Sequence, residues 1–266
     1  MASRWIRGIP KLFQARHRRL WRFYVLLAMG RLLVPAYRFK WPQMDWWEDK
    51  SFNRYLERFG ESGWLNTDRR WMLSQLLRLT EAVPGDTAEC GVFKGASSYL
   101  ICSANVQSTQ KRWHFVFDSF EGLSAPVGSD GDHWKAGDLT VSEDLVQQNL
   151  SDFTEFSLHK GWIPERFPDA AERSFSFVHI DVDVMEPTRD SVGFFYPRLN
   201  DGGVLLCDDY GCTTCPGATE CIDAYLEDKP EKMIALTAGG GFFIKGLQTR
   251  ADGFAATSDQ LKEVGV

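Results

Sequence analysis

The sequence predicts an α/β domain built on a doubly wound, mostly parallel sheet of seven strands, preceded by an N-terminal helical extension. Three observations carry that expectation. FSFVHIDVD (175–183) and GGVLLCDDYG (202–211) are continuous apolar runs joined by a helical stretch, which suits strands buried on both faces of a parallel sheet. Shorter apolar runs starting near Asp86, Arg112 and Phe156 alternate with helical patterns, and a glycine-rich pair at 232–246 reads as a closing hairpin. Both long runs also stop in acid: Asp181 and Asp183 on one, Asp208 and Asp209 on the other. Ligands of such sheets sit beyond the carboxyl ends of the strands. Four carboxylates gathered there repel one another unless a cation or a proton intervenes. An all-oxygen set favours a hard cation such as Mg2+, Mn2+ or Ca2+ over zinc. The bland alternative is that one or two of them cap the next turn or helix.

The 266 residues divide, on pattern, into an extension (1–66) and an α/β domain (67–266). A hydrophobic fraction of 44% is ample for a core, and a net charge of −6 argues against nucleic acid as a partner. The charge is unevenly spread. Residues 1–40 hold ten Arg or Lys and no acid, which leaves the remainder at −16. The apolar part of that segment, 23–36, is interrupted by Arg31 and falls short of the ~20 residues that span a bilayer. It also lacks the cleavage site of a secretory signal. Three readings stay open. The segment lies in a membrane interface, with Arg16, Arg18, Arg19 and Arg22 at the headgroups and Leu20, Phe23, Leu26 and Leu27 buried. It is a targeting segment, or it packs as a helix on the domain or on a second subunit. The corresponding expectations are a cytoplasmic protein, peripheral at the inner face of a membrane on the first reading, and a homo-oligomer.

The stretch 41–64 is dense in aromatics, among them Trp41, Trp46, Trp47, Phe52, Tyr55, Phe59 and Trp64, and reads as amphipathic helical pieces. Thr67 or Asp68 can N-cap the next helix, in which Leu73, Leu76 and Leu77 share a face. The run 86–104 then gives a strand, a glycine turn and a helix. Gly91 and Gly95 let the backbone approach a ligand, and the helix start at 96–98 offers free N–H groups. The spacing is not GxGxxG, so a dinucleotide is not indicated. A strand followed by Glu-Cys-Gly-x-x-x-Gly suits the nucleoside side of an S-adenosylmethionine site, or is an ordinary strand-to-helix turn. Asp118 ends the second strand, where a carboxylate can accept from two ribose hydroxyls. The polar, glycine-rich stretch 125–144 reads as a mobile loop at the mouth of the site. Gly161–Trp162 ends the third strand and either flanks an adenine or simply packs. Pro187 suits the first turn of a helix running to about Leu199, and another helix covers 218–227. Cys90, Cys102 and Cys207 read as small buried hydrophobes. Cys212 and Cys215 form a CxxC without a second pair, so free thiols are expected over a zinc knuckle or a redox couple.

TAECGVFKGASS (87–98), FDSFEGLS (117–124), HIDVDVMEPTRDS (179–191) and GGVLLCDDYG with GATECIDAY (202–225) occur in the order found in macrocin O-methyltransferases of the TylF-like family. The resemblance runs from about Thr67 to Lys245. It implies a Rossmann-like class I methyltransferase fold that uses S-adenosylmethionine and Mg2+. By position in the motifs it implies Asp181, Asp208 and Asp209 as metal ligands, and Asp181 as general base. Glu89, Gly91, Ser97, Ser98, Asp118 and Ser119 would contact the cofactor, with Gly161 and Trp162 beside them on the reading above. The acceptor implied is a hydroxyl of a sugar, on a glycosylated small molecule or a glycan. A non-catalytic nucleoside-binding or membrane scaffold of the same fold is the alternative.

Overall fold

The computed structural model describes residues 21–33, 44–62 and 66–250. Expectations placed on residues 1–20 and 34–43, the latter including Trp41, and on Trp64 lie outside them. The chain forms two compact units, 1–55 and 56–266.

In the first unit, helix α1 (Trp21–Leu33) is followed by a 3-10 turn, Asp45–Glu48, and the start of α2 (Lys50–Phe59). Asp49 begins α2. Its Oδ1 accepts the N–H groups of Ser51 and Phe52, both at 2.8 Å, satisfying donors that a helix start leaves free. Trp46 meets Trp47 and Phe52 edge-on.

The second unit carries the sheet. Helix α3 (Thr67–Leu77) leads into β1 (Asp86–Cys90), α4 (Ala96–Gln107), β2 (His114–Asp118), α5 (Glu143–Asn149), β3 (Phe156–Lys160) and β4 (Phe175–Ile180). Then come α6 (Met185–Phe195), β5 (Leu199–Cys207), α7 (Pro216–Tyr225), β6 (Ile234–Ala235) and β7 (Gly241–Ile244). Among the described residues seven strands form one sheet in the order β3-β2-β1-β4-β5-β7-β6. All pairs are parallel except those of β7, which runs antiparallel to β5 and β6 as the glycine-rich hairpin predicts. The chain reverses its direction of travel between β1 and β4, and a crevice opens there at the carboxyl ends.

Every residue of β4 is buried, as an uninterrupted apolar run requires. One face packs Leu73, Leu76 and Leu77 of α3 and Ile101 of α4 against Phe177, Val204 and Leu206. Each such leucine contributes roughly 1.5–3 kcal/mol by leaving water. The other face packs Val192 and Phe195 of α6 and Ile222 of α7 against Phe175, Val178, Ile180 and Leu205. Helix ends differ in detail from expectation. Asn66, rather than Thr67 or Asp68, occupies the N-cap of α3 and makes no side-chain cap bond, and the Thr67 hydroxyl donates to the Glu61 carbonyl (3.0 Å). α6 ends at Phe195, and Tyr196–Arg198 tighten into a 3-10 turn before β5.

Candidate active site

β1, β2 and β4 all end on one cleft of about 530 Å³, whose lining includes Gly91, Ser97, Asp118, Ser119, Trp162, Asp181 and Asp183. Gly91 sets how closely β1 and β4 approach there. Its φ of +81° is left-handed, and a Cβ at this position would fall 1.9 Å from the Asp181 carbonyl oxygen. Asp118 is shaped by the same turn. One carboxylate oxygen accepts the Val92 N–H and the other the Phe120 N–H, both at 2.7 Å. A carboxylate has about four acceptor sites, so capacity remains toward the cleft. Burial pushes this carboxyl upward, with the backbone donors opposing. The Ser119 hydroxyl accepts from Glu121 N and donates to the Gly122 carbonyl.

Not all the expected cofactor contacts reach the cleft. Glu89 is fully buried one pleat below Gly91, where its carboxylate accepts from the Ser98 hydroxyl and pairs with His179 Nδ1 at 2.7 Å. Ser98 is likewise consumed, with His114 Nε2 3.1 Å from its oxygen. Gly161 supports the wall from behind, donating its N–H to the Asp118 carbonyl. Glu89, Ser98 and Gly161 therefore back the site, whereas Gly91, Ser97, Asp118, Ser119 and Trp162 face it.

The acids stand just past the strand ends. β4 stops at Ile180 and β5 at Cys207, so Asp181, Asp183, Asp208 and Asp209 all occupy the turns that follow. They sort into two groups. Asp181 and Asp208 gather with His179, each offering one atom within 4.8 Å of the others, and Asp209 gathers with Asp183 and Cys215. Asp209 points away because its Oδ2 accepts the N–H groups of Val182 (3.1 Å) and Asp183 (2.7 Å), holding the β4 turn in shape. The trio Asp181, Asp208 and Asp209 thus shares one region without converging on one point.

Two arginines of α3 and one histidine of β4 lie near these acids. Arg70 of α3 lies 3.3 Å from Asp208, 3.4 Å from Glu61 and 4.0 Å from Asp181. Arg69 donates to Cys212 Sγ at 3.0 Å and lines the cleft. His179 bridges Glu89 to Asp208, its Nε2 3.4 Å from Oδ1. Burial raises the Asp208 carboxyl, but His179 and Arg70 outweigh it and bring it down to about 2. Burial lowers the His179 imidazolium, yet Asp208 and Glu89 hold it up at about 10. Burial and repulsion from Asp208 and Asp209 push Asp181 up to about 7, and burial with Asp209 and Asp181 pushes Asp183 up to about 9. The cluster holds one firm carboxylate and acids close to accepting a proton.

Sequence reasoning missed His179, Arg69 and Arg70. Strand alternation was a usable signal for the first, since residues 177, 179 and 181 share a face. The stretch expected to be a mobile mouth loop has no long regular element but is tied down. Buried Asp130 accepts from Val127 N (2.8 Å) and from Met185 N of α6 (2.7 Å). Trp134 lines the cleft with its indole N–H directed at Cys215 Sγ (3.3 Å). Left-handed backbone at Phe93, Leu139 and Asp183 also clusters on the cleft wall, where strain is commonly tolerated for function. All six cysteines are free. A groove of about 600 Å³ beside Phe167, Phe194 and Tyr225 lies elsewhere and carries none of these acids.

Replacing Glu89 by Gln is expected to lower stability by about 3–5 kcal/mol, because it removes one of the two carboxylates that compensate the buried His179. The depressed Glu89 carboxyl stabilises the fold above its unfolded value of ~4.3 and loses that contribution as pH falls. The raised His179 stabilises below ~6.5 and loses its contribution as pH rises toward about 10. Melting temperature measured against pH checks this: the wild type should weaken on the alkaline side, and Glu89→Gln should flatten that limb.

A seven-stranded, mostly parallel sheet with an antiparallel seventh strand and a cleft at the β1–β4 switch point defines the Rossmann-like class I methyltransferase fold. The family model of macrocin-O-methyltransferase (TylF) matches residues 72–236, and the chain belongs to that family. Demethyldecarbamoylnovobiocin O-methyltransferase of Streptomyces niveus is 28% identical over 176 residues, covering 60% of this chain and 66% of the relative. A 4'-O-methyltransferase of Streptomyces olivaceus acting on 8-demethyl-8-(2,3-dimethoxy-alpha-L-rhamnosyl)-tetracenomycin-C is 30% identical over 155 residues, covering 53% and 58%. The chain thus spans between somewhat over half and two thirds of the length of these relatives. Among solved structures, the O-methyltransferase NovP aligns with a TM-score of 0.56 at 26% identity, over 67% of this chain and 80% of its own. The calicheamicin methyltransferase CalS11 (0.59, 18%, covering 80% and 96%) supports the fold alone.

Proposed function

We propose that this chain is an S-adenosylmethionine-dependent O-methyltransferase acting on a hydroxyl of a sugar, carried by a glycosylated small molecule or a glycan. The observation that carries the reading is a single cleft with the Gly91–Ser97–Asp118 turn on one wall and Asp181 on the other. The family and the sugar-modifying relatives support the same chemistry.

S-adenosylmethionine supplies an electrophilic methyl group on a sulfonium. On this reading Gly91 admits its backbone-facing end, Asp118 accepts from the ribose hydroxyls, and Trp162 flanks the base. The cleft orients the acceptor oxygen in line with the methyl carbon, which removes much of the entropic barrier. Asp181 receives the hydroxyl proton. A carboxyl raised to about 7 suits that role near neutral pH, and Asp181 is about a quarter exposed, so substrate can reach it. Trp134 offers an apolar face to a sugar ring.

A hard divalent cation would relieve the acids that His179 and Arg70 leave in repulsion, since Asp181 and Asp183 are both pushed up by neighbouring carboxylates. Asp181 and Asp208 lie close enough together to share it, whereas Asp209 is turned toward Asp183 and Cys215 and would reach it only with the oxygen that the β4 turn does not use. Such a cation lowers the pKa of a coordinated hydroxyl. Transfer of labelled methyl from S-adenosylmethionine to a panel of glycosides tests the reading. Chelation is expected to lower the rate by roughly 10²-fold or more, with Mg2+ restoring it. Transfer indifferent to chelator removes the cation from the account, and no transfer to any hydroxyl acceptor removes the activity.

A further inference from the structure

Helix α1 presents apolar side chains to solvent. Val25, Leu26, Met29, Leu32 and Leu33 are all exposed, Leu32 to 81% and Leu33 to 77%. Its sequence, WRFYVLLAMGRLL, contains two arginines and no acid. A helix this apolar belongs in a protein core or in lipid rather than in water. Its 13 described residues extend about 20 Å, against the ~30 Å hydrocarbon core of a bilayer. Among the described residues no helix is long and apolar enough to cross a membrane.

The charge around α1 selects what covers it. Residues 1–40 contain ten basic and no acidic side chains, whereas the rest of the chain has a net charge of −16. A second copy seated through this segment would bring ten more positive charges against the first ten. An anionic lipid surface meets both features at once, taking the apolar residues at the acyl boundary and the arginines at the headgroups. We propose that α1, with the basic residues that flank it in the sequence, docks this protein on an anionic bilayer as a peripheral anchor. The inference is independent of the methyltransferase reading.

Flotation of the full-length protein tests it, using vesicles of phosphatidylcholine alone and of phosphatidylcholine mixed with phosphatidylglycerol. The protein is expected to float with the anionic vesicles and not with the neutral ones. The combined substitution Arg16→Glu, Arg18→Glu, Arg19→Glu should weaken partitioning roughly tenfold or more, as should added salt. Leu26→Glu with Leu32→Glu should do the same by removing the apolar contact, and melting curves of both variants establish that they fold. Wild-type protein that stays in the soluble fraction with both vesicle types overturns the proposal. So does flotation that neither variant weakens. An oligomer that Leu26→Glu with Leu32→Glu converts to monomer, in a wild type that does not float, assigns the face to a second copy instead.

Discussion

Asp181→Asn is expected to lower methyl transfer by roughly 10²–10⁴-fold, the usual contribution of a positioned general base. The amide keeps the shape of the side chain but cannot take the hydroxyl proton. S-adenosylhomocysteine affinity should change little, because Gly91, Ser97, Asp118 and Trp162 line a different part of the cleft wall. The fold should not suffer either. Burial and the charges of Asp208 and Asp209 already push the Asp181 carboxyl up to about 7, so a neutral group relieves repulsion. Melting temperature is expected to hold or rise while turnover collapses, the pattern of a residue kept for function at a cost in stability. Rates with labelled donor and a thermal melt on one preparation check both halves. Retained turnover would remove Asp181 as the base.

Gly91→Ala is expected to destabilise the protein by at least about 3 kcal/mol and to abolish cofactor binding. A Cβ there meets the Asp181 carbonyl oxygen at 1.9 Å and its carbon at 2.9 Å, both backbone atoms that no rotamer change can move aside. Accommodating it means parting the ends of β1 and β4, the same movement that shifts Asp181. Gly211 provides the comparison. It also has positive φ (+74°), but nothing lies within 4 Å of its Cβ position, so Gly211→Ala should cost only the backbone term of about 1 kcal/mol. Denaturant unfolding of the two variants separates the steric from the conformational contribution, and equal losses would contradict the close approach.

Much of this fold was legible because its central strands are buried on both faces. β4 and β5 leave long apolar runs, so the acids that interrupt them mark where the strands end. The hairpin of β6 and β7 announced itself through its glycines. What stayed hidden depended on direction rather than on residue type. Asp208 and Asp209 are adjacent in sequence, but the turn aims one at His179 and Arg70 and folds the other back onto the Val182 and Asp183 amides. Glu89 and Ser98 look ligand-facing in a motif, yet β1 pairs Glu89 directly opposite His179 on β4 and draws both into the core. Arg70 is 138 residues from Asp208, and no local pattern reports a contact of that separation.

The central claim is that the cleft between β1, β2 and β4 binds S-adenosylmethionine. Calorimetric titration of S-adenosylhomocysteine into wild-type protein, with and without Mg2+, tests it most directly. The account predicts saturable one-to-one binding that Gly91→Ala abolishes and Asp181→Asn leaves intact. Absence of binding under both conditions, in protein that melts cooperatively, would contradict it.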